Sequence, residues 1–471
     1  MSGLGTYDSP GVQGRVVAGV ADPNPLATAV PSRRASKGAA SAQTGITVIA
    51  HSDPGQGAAA GLARRLGTTD AVVIGLGSMI GAGVFASFSP AAGAAGSWLL
   101  VGLGVAAVVA YCNATSSARL AARYPASGGT YVYGRERLGP FWGYLAGWSF
   151  VVGKTASCAA MALTFAAYAA PGYERPAAVG AVLALTALNW RGVHKSALVT
   201  RIIVAIVLSG LAAAVVASLA APASSISNVL PTGNLPLLGV LQAAGLLFFA
   251  FAGYARIATL GEEVRDPAQT IPRAIPLALT ITLVVYAAVG AAVLAVLGPA
   301  RLAAAPAALV DAVTAAGAAW LVPVVRIAAA VAALGSLLAL VLGVSRTTFA
   351  MARDRNLPTV LDAVHPRFQV PHRAELAVGV VVSIVAATVD LRGAIGFSSF
   401  GVLLYYAIAN AAALTLNRQE HPPVRLIPIV GLAGCLVLAV TLPGTSVIAG
   451  AAVIAVGACV YAARRWLDTR S

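Results

Sequence analysis

The residues with the clearest potential for chemistry lie in one glycine-rich segment. Residues 75–85 read Gly-Leu-Gly-Ser-Met-Ile-Gly-Ala-Gly-Val-Phe, within an apolar run long enough to cross a bilayer. Glycine disfavours a regular helix, and an interrupted helix in hydrocarbon leaves main-chain groups that need partners. Amides after the interruption could bind an anion, and carbonyls before it could bind a cation. The segment therefore indicates a binding site, although close packing of glycines between helices would use the same residues.

A second apolar run, at residues 237–262, has a similar weak point. Gly253 and the basic residue Arg256 interrupt it near its middle. The two weak runs are the first and the sixth along the chain. Because five is odd, a repeat of five spans enters the membrane from the opposite side, and the two runs take matching positions in inverted halves. Such a pair is typical of the binding site of a secondary transporter.

Membrane-spanning helices must position both segments. Of the 471 residues, 58% are hydrophobic and 10% are charged, whereas soluble domains carry about 25% charged residues. We therefore predict an all-α integral membrane protein with twelve transmembrane helices. The predicted spans are residues 70–96, 98–121, 141–169, 175–190, 197–221, 237–262, 273–298, 320–350, 374–391, 394–417, 424–441 and 444–463. Residues 300–318 are predicted to form a helix that lies on the protein in an outer loop.

The spans divide the chain into four predicted parts. Residues 1–65 are rich in Gly, Ala, Ser and Pro, which indicates a disordered cytoplasmic tail. Residues 66–221 form a first inverted repeat and residues 237–417 a second. Residues 418–471 add two C-terminal helices and a short cytoplasmic tail.

The basic residues predict the orientation in the membrane. The net charge is +15, and most of the 31 lysines and arginines fall in the tail, in alternate loops and at the C-terminus. Among the remaining loops, only Arg175, Arg301 and Arg392 are basic. This asymmetry follows the positive-inside rule and predicts cytoplasmic N- and C-termini in the cell membrane. It also accounts for the positive charge without a nucleic-acid partner.

An embedded enzyme or a metal centre would need clustered acids, histidines or cysteines in the spans. The five histidines fall in the tail or in loops, and none of the four cysteines has a metal-ligand spacing. We therefore predict no enzymatic activity, no metal and no cofactor.

Four stretches make the sequence resemble the amino acid-polyamine-organocation transporter superfamily. They are residues 77–85, residues 124–133, residues 249–254 continuing into 262–267 and 271–274, and residues 345–346 with 351–354. The resemblance covers about residues 65–463. It implies the leucine-transporter fold, a 5+5 inverted repeat with helices 1 and 6 broken.

The resemblance also implies how an amino acid would bind. In similar proteins the substrate carboxylate lies on amides that match Ala82 and Gly83, with Gly81 beside them. Its ammonium group meets carbonyls near the breaks, and an aromatic gate covers it. The matching residues here are Met79 or Ile80 in the first run, Phe251 or Ala252 next to Gly253 in the second, and Phe249 as the gate.

Two positions depart from that pattern. Many similar proteins carry an acid just after the second break, where this chain has Ala255 followed by Arg256. Proton-coupled ones often have a lysine in the fifth span, where this chain has Val207.

Lys154 is a buried cation that could replace that lysine. It lies 13 residues after Phe141, roughly 20 Å along its helix. An ionisable residue at such depth is a functional hypothesis by default. Lys154 could change its charge during transport, since burial disfavours a charged ammonium group, or it could counter a substrate carboxylate. A structural role, bonded to helix carbonyls, is the alternative.

Arg256 could face the same site or pair with Glu262 or Glu263. We interpret Glu262 and Glu263 as part of a latch at the cytoplasmic end of the second run. Two cations without a nearby acid favour a neutral or acidic amino acid, because a third positive charge would be repelled.

The predicted function is therefore secondary active transport of an amino acid by alternating access, coupled to protons or to exchange. Sodium is less well supported, with only the hydroxyls of Ser336 and Ser345 as candidates. The alternatives are a transporter-like substrate sensor and a carrier of cationic amino acids or polyamines. The sequence leaves open whether the protein is a symporter or an antiporter, and which oligomer it forms.

Overall fold

The computed structural model describes residues 66–124, 128–192, 197–258 and 264–468, most of which are helical. In chain order the helices are α1 (Thr68–Met79), α2 (Ala82–Ala86), α3 (Phe88–Ala95), α4 (Leu99–Arg123), α5 (Thr130–Leu138), α6 (Pro140–Ala169), α7 (Glu174–Trp190), α8 (Ala197–Ala220), α9 (Leu237–Phe251), α10 (Ala255–Ala258), α11 (Pro267–Ala304), α12 (Ala308–Ala315), α13 (Val322–Arg353), α14 (His372–Thr388), α15 (Leu391–Leu414), α16 (Leu426–Thr441) and α17 (Gly444–Asp468). Within these ranges, β pairing is limited to one parallel bridge between Leu66 and Val264.

Nine helical stretches in the described part of the chain are long and apolar enough to cross a bilayer. They establish a multi-pass membrane protein, as the composition predicted. Three further helices, α7, α14 and α16, have 17, 17 and 16 residues and coincide with predicted spans four, nine and eleven. The exact set of twelve spans therefore stays a prediction.

The first glycine-rich run is interrupted between α1 and α2. Ile80 leaves the helical conformation with φ −81° and ψ 48°, and Gly81 follows with φ −98° and ψ −132°. Helical hydrogen bonding resumes at once, because Ser87 N donates to the Gly83 carbonyl and Ala91 N donates to the Ser87 carbonyl. The chain after the interruption therefore runs as nearly continuous helix through α2 and α3.

The second run changes from α-helix to a 3₁₀ turn at its interruption, whereas the first run leaves the helical conformation. A 3₁₀ turn at Ala252–Tyr254 connects α9 to α10, and Arg256 lies inside α10. Gly253 therefore lies within the change of helix type, whereas the prediction that Arg256 interrupts the helix is wrong. A short 3₁₀ segment inside a helix is a common sign of a functional hinge.

The helix predicted at residues 300–318 is split into two parts. Helix α11 has a kink at Gly298, where φ is +67°, and continues to Ala304 before α12 begins. Helix α12 is well buried, with Leu309 and Val313 among its fully packed side chains. It thus packs into the protein more deeply than a helix lying on the surface would.

Ion pairs connect loops that are far apart in sequence at the end of the bundle rich in arginine. Glu420 accepts a hydrogen bond from Arg123 Nε at 3.0 Å and is also paired with Arg137. These arginines, together with the Asn417 amide, lower the pKa of the Glu420 carboxyl to about 2. At the same end Asp70 at the start of α1 pairs with Arg201 of α8.

Candidate functional site

The two interruptions pack against each other with no room for side chains between them. A Cβ added to Gly83 would lie 2.6 Å from Ala250 Cα, and one added to Gly253 would lie 2.7 Å from Met79 N and still closer to the Ser78 carbonyl. Contacts this short are not tolerated, so glycine is required at both positions for the two main chains to approach. The sequence pattern thus corresponds to a direct backbone contact between the two weak segments.

Tyr286 of α11 connects the ends of the two helices. Its hydroxyl lies 2.5 Å from the Met79 carbonyl oxygen and 2.9 Å from the Ala250 carbonyl oxygen. Its ring stacks edge-on with Phe251, with ring centroids 5.1 Å apart. The tyrosine is almost completely buried. One side chain therefore holds both segments, and it satisfies a carbonyl that the end of α1 leaves without a helical partner.

Lys154 approaches the second interruption from α6. Its Nζ donates a hydrogen bond of 3.3 Å to the Ala252 carbonyl oxygen, and its side chain is 6% exposed. Close contact between Gly153 of α6 and Gly401 of α15 brings this part of α6 deep into the bundle. In the described residues, Lys154 and Glu375 are the charged side chains that are buried.

The Ala252 carbonyl has a second partner. Tyr406 of α15 donates from its hydroxyl across 3.4 Å, and its ring stacks on Tyr254 with ring centroids 5.0 Å apart. This main-chain carbonyl at the start of the 3₁₀ turn thus accepts from an ammonium group and from a phenol hydroxyl. The Ala252 carbonyl is therefore an acceptor suited to a cation, and in this structure the protein's own Lys154 and Tyr406 supply its donors.

A third tyrosine supports the segment that follows the first interruption. Tyr168 of α6 donates to the Phe85 carbonyl across 3.1 Å and lies 3.5 Å from the Leu309 amide of α12. Its ring packs edge-on against Phe85. Helix α12 is therefore connected through Tyr168 to the end of α2.

Ser336 of α13 lies beside the first interruption. Its Oγ donates to the Gly77 carbonyl across 3.3 Å, and a side chain at Gly81 would collide with it. Ser345, the other hydroxyl considered for sodium, donates to the Val341 carbonyl of its own helix. Val207, the position where similar proteins carry a lysine, is a buried apolar residue.

The structure brings most of the predicted binding residues together. Met79, Ile80, Ala82, Phe249, Phe251 and Ala252 are all buried, with Gly81, Gly83 and Gly253 between them. Arg256 is partly exposed within α10. Glu262 and Glu263 lie outside the described residues. Just beyond them, Arg265 N donates to the Leu66 carbonyl across 2.9 Å, which joins the two segments below the site.

The sequence analysis missed Tyr286, Tyr406 and Tyr168. A signal existed, because a tyrosine inside an apolar helix must find a hydrogen-bond partner for its hydroxyl. The sequence does not reveal that the partners are the interrupted main chains. Their identity depends on how helices far apart in sequence pack.

The arrangement offers main-chain groups, hydroxyls and one ammonium group. This arrangement suits binding of a small polar molecule rather than catalysis of a chemical reaction. Among the residues that the structure describes, no group of three or more His, Cys, Asp or Glu could hold a metal ion.

Several helices long and apolar enough to span a membrane, with two facing interruptions near one buried cation, are typical of a membrane transport protein. Comparison with known proteins specifies the class. The profile described as "Amino acid permease" matches residues 66–461, so the chain belongs to the amino acid permease family, whose members are transporters rather than enzymes.

Individual relatives support the same assignment. An uncharacterized transporter of Mycobacterium tuberculosis is 69% identical over 87% of this chain and 93% of its own length. A branched-chain amino acid permease of Bacillus subtilis is 26% identical over 85% of this chain and 92% of its own. The human cationic amino acid transporter 4 is 28% identical over 77% of this chain and 61% of its own.

Proposed function

We propose that this protein is a secondary active transporter that moves an amino acid across the cytoplasmic membrane by alternating access. The observation that carries the proposal is the direct contact of the two interruptions, with Gly83 against Ala250 and Gly253 against Met79. Irregular main chain at membrane depth is stable only where it is buried or lines a cavity. Two such segments in contact suit a substrate site that opens when one moves relative to the other.

The proposed architecture is a 5+5 inverted repeat of ten spans, followed by α16 and α17. Residues 66–221 and 237–417 are the two repeats, and residues 1–65 are a cytoplasmic tail. Nine helical stretches long and apolar enough to cross a bilayer, together with the shorter helices α7, α14 and α16, support this proposal. The loops rich in arginine would face the cytoplasm, with both chain termini.

Main-chain groups would recognise the amino acid. The amides of Ala82 and Gly83 begin a helix that runs on into α3, so their positive end would favour the carboxylate. The carbonyls of Met79, Ile80, Phe251 and Ala252 would receive the ammonium group. Phe249 would cover the substrate as a gate. A side chain added at Gly83 would displace α9, which would remove the carboxylate site.

Lys154 would compete with the substrate for the Ala252 carbonyl. Its ammonium group donates to this carbonyl, which is one of those proposed to receive the substrate ammonium group. Arrival of the substrate would free Lys154, and a freed ammonium group buried in an apolar interior is costly. Loss of its proton would relieve that cost and would couple transport to proton movement. Exchange is the second possibility, because an outgoing substrate could hold the carbonyl instead of Lys154.

A neutral or acidic substrate fits this charge distribution better than a cationic one. A positive side chain about 4 Å from Lys154 would meet a repulsion of about 4 kcal/mol at an effective dielectric constant of about 20. One relative is named as a branched-chain amino acid permease, and this likeness also supports a neutral substrate for this chain. The name of the cationic amino acid transporter favours the alternative, a cationic amino acid or polyamine.

The test is uptake by the purified full chain in proteoliposomes. Labelled leucine, alanine, serine, glutamate, arginine and putrescine are offered with a proton gradient, a sodium gradient or internal substrate. We expect uptake of a neutral or acidic amino acid, driven by protons or by internal substrate. A bulky variant at the contact, Gly83→Leu, should abolish uptake, whereas Gly104→Leu, which meets open space, should not.

Other outcomes would contradict specific parts of the proposal. Binding of an amino acid without any movement across the bilayer would identify a sensor. Arginine or putrescine uptake far above that of leucine and glutamate would overturn the substrate class. A requirement for sodium would overturn the role of Lys154 and point to the Ser336 side of the first interruption.

A further inference from the structure

Five helices of the bundle form a groove with a mainly apolar lining. It lies between α6, α13, α14, α15 and α17 and has a volume of about 760 Å³. That volume lies in the range of roughly 300–1,000 Å³ that is typical of ligand sites. On α6 its wall is formed by residues such as Val151 and Thr155, whereas Lys154 points to Ala252. The groove is therefore separate from the proposed amino acid site.

The groove has the length and surface of an acyl-chain site. Its wall on α14 runs from Ala377 through Val381 and Val385 to Val389, a stripe with helical spacing. Twelve residues of helix span ~18 Å, roughly 60% of the ~30 Å hydrocarbon core. The lining is mainly Val, Ala, Leu and Phe. Four of the five helices, α6, α13, α15 and α17, are long and apolar enough to cross a bilayer, so the molecules that surround the groove are lipids.

The two ends of the groove differ in charge. Leu357 and Leu361 belong to the loop that closes one end. Arg464 Nη1 donates to the Arg355 carbonyl of that loop at 2.5 Å, and Arg373 Nη1 donates to its Val360 carbonyl at 3.3 Å. Three arginines therefore lie on or against this loop.

The opposite end has the opposite charge. Asp390 lines it, and a Cβ at Gly393 would lie 2.8 Å from the Asp390 carboxylate oxygen. A negatively charged group is thus favoured at the arginine end and repelled at the aspartate end.

We propose that this groove binds an anionic phospholipid of the surrounding bilayer. Its acyl chains lie along the valine stripe of α14, and its phosphate lies between Arg355, Arg373 and Arg464. The bound lipid fills the space between α17 and α14 and fixes α17 against the bundle. Charge complementarity at one end and the length of the groove identify the occupant.

Native mass spectrometry of the full chain tests this directly. The protein is exchanged into detergent with equal amounts of phosphatidylglycerol and phosphatidylcholine, and the retained lipid is counted. We expect the unmodified protein to retain at least fivefold more phosphatidylglycerol than phosphatidylcholine. Equal retention of the two lipids, or none, would overturn the proposal.

Two adjacent valines provide a matched pair of variants. Val381 lines the groove and is 48% exposed, whereas Val380 is 47% exposed and does not line it. Val381→Trp should reduce retained phosphatidylglycerol at least fivefold, and Val380→Trp should leave it unchanged.

Ala449→Leu, on the α17 wall, provides a second groove variant if Val381→Trp does not fold. Equal retention by groove and control variants would contradict the site. A dimer that dissociates in Val381→Trp without loss of lipid would identify a second copy as the occupant instead.

The arginine end of the groove, where the lipid phosphate would lie, can be tested with a second set of matched variants. Arg464→Gln combined with Arg373→Gln should remove the preference for phosphatidylglycerol while phosphatidylcholine retention stays the same. Arg465→Gln removes a charge from the same helix, but its guanidinium lies 3.5 Å from the Tyr461 hydroxyl rather than on the loop. It should keep the preference. Loss of preference in Arg465→Gln alone would show that net charge, and not this end of the groove, selects the lipid.

Discussion

Lys154 Nζ donates a hydrogen bond to the Ala252 carbonyl oxygen across 3.3 Å, at the turn between α9 and α10. This carbonyl is also one that a substrate ammonium group would use. A single acceptor thus connects the buried cation of α6 to the proposed binding site. In the proposed mechanism, this contact lets a lysine outside the fifth span respond to the substrate.

Replacing Lys154 should change the pH dependence of transport. In Lys154→Met the side chain keeps its length but cannot carry a proton, so uptake should fall at least tenfold. The remaining uptake should no longer vary with pH, because the proposed coupling group is gone. The measurement is initial uptake in proteoliposomes between pH 5 and pH 8. Lys195→Met, in a predicted cytoplasmic loop, is the control and should behave like the unmodified protein. Unchanged pH dependence in Lys154→Met would restrict Lys154 to a structural role.

Tyr286→Phe should loosen the contact between the interruptions. The ring against Phe251 is kept, but the Met79 and Ala250 carbonyls lose a hydroxyl partner. A buried hydrogen bond contributes about 1 kcal/mol, and acceptors left without a partner raise the cost to about 1–3 kcal/mol. The melting temperature in detergent should fall by several degrees, with reduced substrate affinity. Tyr173→Phe, at a side chain that is 73% exposed, should have no effect. Equal melting temperatures for the two variants would exclude this bridging role.

Gly83→Ala should destabilise the protein although alanine favours helices. Its Cβ would lie 2.7 Å from Ala250 Cβ, so α2 and α9 must separate. Overpacking of this kind costs about 1–3 kcal/mol. Gly104→Ala, in α4, meets nothing within 4 Å. It should be neutral or stabilising by up to about 1 kcal/mol. Thermal unfolding of both variants separates the close approach from helix propensity, since propensity alone predicts stabilisation in both.

The Glu420 ion pairs should stabilise the fold in a pH-dependent way. Arg137, the Asn417 amide and Arg123 lower the pKa of Glu420 from 4.5 to about 2 in the folded protein. A lowered pKa means that the stabilisation is complete above pH 4.5 and is lost as the pH falls towards 2. Glu420→Gln should therefore melt at a lower temperature than the unmodified protein at pH 7, and the two curves should converge on acidification. High salt should also reduce the difference. Parallel curves from pH 7 to pH 3 would contradict the role of these pairs.

The amino acid sequence by itself determined the class of the protein. Long apolar runs have one stable form in hydrocarbon, the helix, because every main-chain group must be paired within the segment. The positions of the helices followed from this constraint. The two weak segments at Gly81 and Gly253 could also be predicted, because glycine within an apolar run can be recognised from the sequence without knowing its neighbours in space.

Only the tertiary structure decided what these segments touch. Tyr286 and Tyr406 come from α11 and α15, far along the chain, and nothing local in sequence indicates that their hydroxyls bind the main chain of another helix. The same holds for Lys154, whose depth was predictable but whose partner, Ala252, depends on the packing of α6. Arg256 was misjudged because a charged residue in an apolar run does not by itself end a helix, and here it lies within α10. Periodicity and composition determine which segments enter the membrane. Contacts between helices depend on shape and on hydrogen bonds distributed over the whole chain, so they appear only when the helices are assembled.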